Sequence, residues 1–74
     1  MTYYERIRAL REDADLTQTF IADMLNIGQR TYSDYESGKT RIPVERLMLL
    51  AQYYNVSMDY ISGASNRKTR YPKE

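Results

Sequence analysis

The 74-residue chain contains no cysteine and no histidine. The first absence excludes a disulfide framework and a thiolate nucleophile. Together the two remove the usual zinc ligands, so a domain this small has only packed side chains to hold it. No metal and no cofactor is expected, and the composition is compatible with a reducing cytoplasm. Long apolar runs are missing as well: Leu47-Met48-Leu49-Leu50-Ala51 is the longest, far short of the roughly 20 residues that cross a bilayer. The opening residues Met1 to Arg6 lack the apolar core of a secretion signal, so neither membrane insertion nor export is expected. There is no glycine-rich phosphate loop and no convincing carboxylate pair for acid–base work, which argues against an enzyme. What is left is one domain at most, near the lower size limit for an unaided core.

The apolar residues that are present recur at helical spacing. Tyr3, Ile7, Leu10 and Ala14 draw one stripe, which predicts a first helix from about Tyr3 to Asp13. Thr17 has a hydroxyl able to accept a bond from the next turn's free N–H and so marks the start of a second helix, running to about Leu25 with Ile21, Ala22 and Leu25 inward. Asn26-Ile27-Gly28 breaks that helix with a tight turn, its outer residues being two that tolerate left-handed or irregular backbone. A third helix is expected from Gln29 to Ser37, stopped by Gly38. Pro43 opens a fourth, Pro43 to Tyr54, with Val44, Leu47, Leu50, Ala51 and Tyr54 facing the core. Ser57 caps a short fifth over Met58 to Ile61, and Gly63 offers a final stop. The expected fold is therefore all-α, five short helices over residues 3–63. Residues 64–74 are polar and unpatterned and are expected to form a mobile tail.

Charge is uneven along this frame. Residues 1–63 hold seven bases against nine acids, a net −2, whereas the tail holds Arg67, Lys68, Arg70 and Lys73 against Glu74, a net +3. Within the domain, Arg30, Lys39 and Arg41 gather in and just after the third helix. Two short helices joined by a tight turn, the second exposing Gln29, Arg30 and Ser33, match the device that lays a recognition helix in a DNA major groove. The side chains suit it: glutamine pairs with the N6 and N7 edge of adenine, arginine with O6 and N7 of guanine, and serine with either.

Leu16-Thr17-Gln18, Ile21-Ala22, Leu25-Asn26-Ile27, Tyr32-Ser33, Tyr35-Glu36-Ser37-Gly38-Lys39-Thr40 and Pro43 together resemble the Cro/CI-type helix-turn-helix family of phage repressors and Xre-like bacterial regulators. The likeness extends over nearly everything to Gly63. It implies a lambda-repressor-like domain with the helix-turn-helix at about 18–37, and a regulator, most simply a repressor, that binds a double-stranded operator as a homodimer. By position it implies that Gln29, Arg30, Ser33 and Asp34 face bases. Gln18, Thr31, Ser37, Lys39, Thr40 and Arg41 would face phosphates, and Arg11 and Glu36 would form a buried ion pair between the first and third helices. Three departures stand out. Asn26 replaces the usual turn glycine, Gly28 stands where the family often caps with serine or threonine, and Asp34 puts a carboxylate near phosphates unless it accepts from cytosine N4.

Tyr32 and Tyr35 are expected in the core rather than as base-stacking platforms. Phe20, Met24, Tyr53, Met58 and Tyr60 exceed what one small core needs, and the later ones are the expected dimer surface. A rival reading keeps the fold but binds a protein, as an antitoxin, anti-repressor or adaptor would. That version would show an apolar patch on the outer face of Gln29 to Ser37, which in this chain is polar.

Overall fold

A computed structural model describes residues 1–72. Among them are five helices and no strand: α1 (Tyr3–Asp13), α2 (Gln18–Met24), α3 (Gln29–Glu36), α4 (Val44–Tyr54) and α5 (Met58–Ile61). None is long and apolar enough to cross a membrane.

Local chemistry sets the helix ends. Thr2 and Glu5 form a reciprocal capping box at the start of α1, with Thr2 Oγ1 accepting from the Glu5 N–H at 3.2 Å and Glu5 Oε1 accepting from the Thr2 N–H at 2.9 Å. The Thr17 hydroxyl accepts from the Phe20 N–H at 3.0 Å and Ser57 does the same for Tyr60 at 3.1 Å, as expected. In the α2–α3 turn only Asn26 enters the left-handed region, at φ 59°. Gly28 is extended at φ −72° and caps α3 without a side-chain bond. Gly38 ends α3 at φ 79° beneath Tyr4, whose ring leaves no room for a Cβ there.

The core is built from Ile7 and Leu10 of α1, Ile21, Ala22 and Leu25 of the α2 region, Tyr32 and Tyr35 of α3, Leu47, Leu50 and Ala51 of α4, then Val56 and Ile61. α2 packs on α3, α3 on α1, and α5 joins α1 to α4. The stripe expected on α4 needs one correction. Pro43 is the extended cap residue and not the first helical one, so Val44 begins the helix and points outward, 59% exposed. Ala14 is likewise exposed, beyond the end of α1.

The segment after Gly63 differs most from expectation. The described part of the supposed mobile tail, residues 64–72, lies along α4 and α5 as a strap. The Ser57 N–H donates to the Thr69 carbonyl at 2.8 Å, Thr69 Oγ1 donates to Ser57 Oγ at 2.9 Å, and Tyr71 is half-buried against the core with its hydroxyl accepting from Gln52 at 3.2 Å. Its near end is held by Arg6, only 4% exposed, which donates to the Tyr60 and Ser65 carbonyls and to Asn66 Oδ1 at 2.9, 3.3 and 3.0 Å and stacks 3.9 Å over the Tyr60 ring. A buried guanidinium is tolerable here because oxygens and a ring face replace its water. Met58 and Tyr60, two of the residues expected at a dimer surface, are partly buried against the domain's own core.

Candidate nucleic-acid interface

Arg11 and Glu36, 25 residues apart in sequence, meet between α1 and α3. Arg11 Nε and Nη2 donate to the two carboxylate oxygens at 2.7 and 3.0 Å, and Nη1 donates to the Leu16 carbonyl at 2.8 Å. The side chains are 13% and 3% exposed, so the pair is largely removed from water. Burial pushes the Glu36 carboxyl up, but Arg11, with Tyr32 and Gln18 behind it, more than offsets that and holds its pKa below the ordinary 4.5. Arg11 is pushed up by the same partner. The nearby Tyr32 hydroxyl is buried without a well-formed hydrogen bond, and burial first and the Glu36 charge second hold it protonated far above the ordinary tyrosine range.

This pair does more than pin two helices. Gln18 Nε2, at the first residue of α2, donates to Glu36 Oε1 at 3.1 Å, while Gln18 Oε1 accepts from Gln29 Nε2, at the first residue of α3, at 2.7 Å. A continuous hydrogen-bonded chain thus runs from α1 through the buried carboxylate to an exposed glutamine at the tip of α3. Gln18 accordingly has a structural role that the sequence reading, which gave it a phosphate, did not include. Gln18 and Gln29 open the two helices that pack against each other, and it is that packing which brings their amides together.

The other expected contacts lie on two adjoining surfaces. Gln29, Arg30 and Thr31 are exposed in the first turn of α3, and Ser33 and Asp34 are half-buried one turn on. Arg30 is 84% exposed, with Nε 3.9 Å from Asp34 Oδ1. That is too long for a hydrogen bond but close enough for the carboxylate to offset part of the guanidinium charge. Beyond α3, the Asp34 carbonyl accepts from Ser37 Oγ and from the Thr40 N–H, both at 3.2 Å, so the loop curls back on its helix. Ser37, Lys39, Thr40 and Arg41 are exposed along it. Arg46 does not join this basic group: its Nη1 donates to the Tyr35 hydroxyl at 2.6 Å, tying α4 to α3.

Apolar side chains avoid this surface. Apart from Met1, the large exposed hydrophobic residues lie on α2 (Phe20, Met24) and α4 (Val44, Met48, Leu49, Tyr53), and none lies on α3. The outer face of the third helix is polar in the structure as in the sequence.

Helices of this order, with a turn between α2 and α3 and a free polar face on α3, define the class of helix-turn-helix domains. The helix-turn-helix family model matches residues 7–61, and the chain belongs to that family, in the Cro/CI-type form its sequence resembles. It is 36% identical over 64 residues to the uncharacterized HTH-type transcriptional regulator YobD of Bacillus subtilis, a match covering 86% of this chain and 57% of that protein. It is 35% identical over 54 residues to the cryptic phage CTXphi transcriptional repressor RstR of Vibrio cholerae, covering 73% of this chain and 49% of the relative. A crystal structure of a transcriptional regulator from Listeria innocua superposes with a TM-score of 0.80 at 32% identity, over 99% of this chain and 62% of that one. The chain thus spans about half to three fifths of the length of each of these three proteins.

Proposed function

We propose that this chain is the DNA-reading domain of a transcriptional regulator that represses by occupying a double-stranded operator, with α3 in the major groove. The observation that carries the reading is the fixed glutamine at the tip of α3. The Gln29 amide has two N–H groups and one carbonyl oxygen, and one N–H is committed to Gln18. One donor and one acceptor remain, the pair that the N7 and N6 edge of adenine requires. Arg30 beside it is free to grip guanine, and Ser33 and Asp34 lie one turn further along for adjacent bases. Gln18, Thr31, Ser37, Lys39, Thr40 and Arg41 flank them for phosphates; Gln18 retains a second amide N–H for that purpose. Such contacts set register and salt-sensitive affinity, while base contacts set preference. The protein binds without catalysing a reaction, works in the cytoplasm and reads a two-fold operator as a pair of copies.

The rival reading, a module that binds a protein, draws its support from the apolar positions on α4 and α2. Those leave the polar face of α3 free, and a regulatory protein partner there is compatible with DNA reading. The test compares variants. Gln29→Ala or Arg30→Ala should relax preference at one base pair each, by a discrimination of about 1–3 kcal/mol. Lys39→Ala or Arg41→Ala should weaken all duplexes alike and flatten the salt dependence. Uniform losses from all four would remove the base-reading assignment.

A further inference from the structure

The seven bases of residues 1–63 are not equally available to a ligand. Arg6, Arg11 and Arg46 are tied into bonds within the domain, and Arg8 pairs with Glu12 on α1 at 3.3 Å. Arg30, Lys39 and Arg41 remain for DNA, and a carboxylate stands among them. Asp34 lies one turn along α3 from Arg30, with a side chain 26% exposed against 84% for the arginine. The carboxylate is therefore the fixed member of the pair and the guanidinium the mobile one. Their contact is through Nε, so both terminal nitrogens, the fork that fits guanine O6 and N7, stay available. Helix stability does not explain the pair. An acid preceding a base at four-residue spacing suits the helix dipole, and α3 has the reverse order, with the base in its first turn and the acid in its last. Nor does the Asp34 side chain hold the α3 loop, since it is the Asp34 backbone carbonyl that accepts from Ser37 and Thr40.

We infer that Asp34 is a positioning residue for Arg30: its carboxylate keeps the guanidinium over the bases and withholds it from phosphates. The chain then separates its operator from other DNA more sharply than its attractive contacts alone would. The inference rests on the DNA-reading function proposed above and gives Asp34 a role apart from any base it faces. At 3.9 Å the pair lies well inside the screening length, about 10 Å at 0.1 M salt. On DNA without the operator no guanine is in register, and an untethered Arg30 would swing to a phosphate. Binding of that kind is electrostatic, and each such contact contributes about 0.9 to the log–log salt slope, which at about 0.1 M salt is up to about eightfold in affinity. A carboxylate beside the guanidinium competes with the phosphate for it and repels that phosphate. At the operator, guanine O6 and N7 are neutral acceptors, which the carboxylate repels far less, and the fork they require is the one that the Nε contact leaves open. Asp34 therefore weakens the wrong complexes and spares the right one, which is discrimination obtained by repulsion.

The experiment measures Kd for a duplex carrying an operator selected from random DNA and for an equal-length duplex lacking it, over a series of salt concentrations. Wild type is compared with Asp34→Asn, with Asp34→Glu, and with Asp34→Asn placed in an Arg30→Ala background. Asparagine keeps the shape and removes the charge, and thermal melts verify that each variant is folded. Asp34→Asn should bind the non-operator duplex about three- to eightfold more tightly, with a salt slope steeper by roughly 0.9, and the operator within about twofold of wild type. Asp34→Glu, which retains the charge, should keep the wild-type ratio. Without Arg30 the gain from Asp34→Asn should fall below about twofold, because the side chain it frees is gone. Unchanged non-operator binding by Asp34→Asn overturns the inference. So do an equal gain on both duplexes, a gain that survives without Arg30, and an Asp34→Glu that behaves like Asp34→Asn. Loss of preference at one base pair with non-operator binding unchanged makes Asp34 a base reader only, and overturns it too. A wild-type protein that yields no operator on selection, or binds both duplexes alike, defeats the DNA-reading function itself, and this inference with it.

Discussion

Replacing Glu36 by glutamine removes a charge and leaves a shape. The carboxylate accepts two bonds from Arg11 at 2.7 and 3.0 Å and one from Gln18 at 3.1 Å. An amide presents one acceptor and, toward Arg11, a repelling N–H. Breaking a buried ion pair from one side costs about 3–5 kcal/mol, because the surviving charge stays out of water. Here Arg11 keeps its bond to the Leu16 carbonyl and 13% exposure, which places the cost near the lower end, at about 3 kcal/mol. For a domain of this length that corresponds to a fall in Tm of roughly 12–24 °C. Urea and thermal unfolding followed by circular dichroism measure it. The double variant Arg11→Met/Glu36→Leu, which removes both charges, should recover most of the loss. Single variants that each cost less than about 1 kcal/mol and add independently would mean that the pair behaves as an exposed one and that the account of the α1–α3 junction is wrong.

Three further outcomes follow from the same geometry. Because the Glu36 pKa lies below its ordinary 4.5 in the folded state, the group contributes stability that is fully present above that value and lost as pH falls through the lower folded one. Stability measured between pH 6 and pH 2 should therefore decline more steeply for wild type than for Glu36→Gln. The two glycines flanking α3 should respond with opposite signs. Gly28→Ser meets open space at φ −72° and supplies a cap, stabilising by about 0.5–1 kcal/mol. Gly38→Ala puts a Cβ 2.8 Å from the Tyr4 ring at φ 79° and should cost about 1–3 kcal/mol, both read from unfolding curves. Tyr71→Ala strips the strap of its apolar anchor and should cost about 1–2 kcal/mol, with faster amide exchange at the Ser57 N–H that donates to Thr69. Unchanged exchange there would mean that the strap does not depend on Tyr71.

Helix positions were legible in this sequence because they depend on local signals. The Ile7–Leu10 and Leu47–Leu50–Ala51 spacings, the Thr17 and Ser57 hydroxyls and Gly38 act within a few residues of where they stand, and the structure puts each in the expected place. The Thr2–Glu5 box was equally local and was overlooked. Arg6 was not legible: on a charged amphipathic helix it reads as one more solvated base, and its acceptors arrive 54 to 60 residues later. The strap was hidden for a related reason. It has no periodicity of its own and is ordered by bonds to Ser57, Gln52 and Arg6, so its polar composition looked like that of a free tail. At the site, the resemblance supplied Arg11 with Glu36 and the exposed first turn of α3, but the Gln18–Gln29 bond required the packing angle of two helices, which no spacing along the chain encodes.

The central claim is that α3 reads DNA bases, and selection of binding sites from random duplex DNA at moderate salt tests it most directly, run beside Gln29→Ala/Arg30→Ala. The account predicts enrichment of a two-fold sequence containing adenine and guanine in each half-site, lost in the variant. No enrichment from wild-type protein shown to be folded would contradict it, and the same two-fold sequence recovered by the variant would contradict the assignment of Gln29 and Arg30.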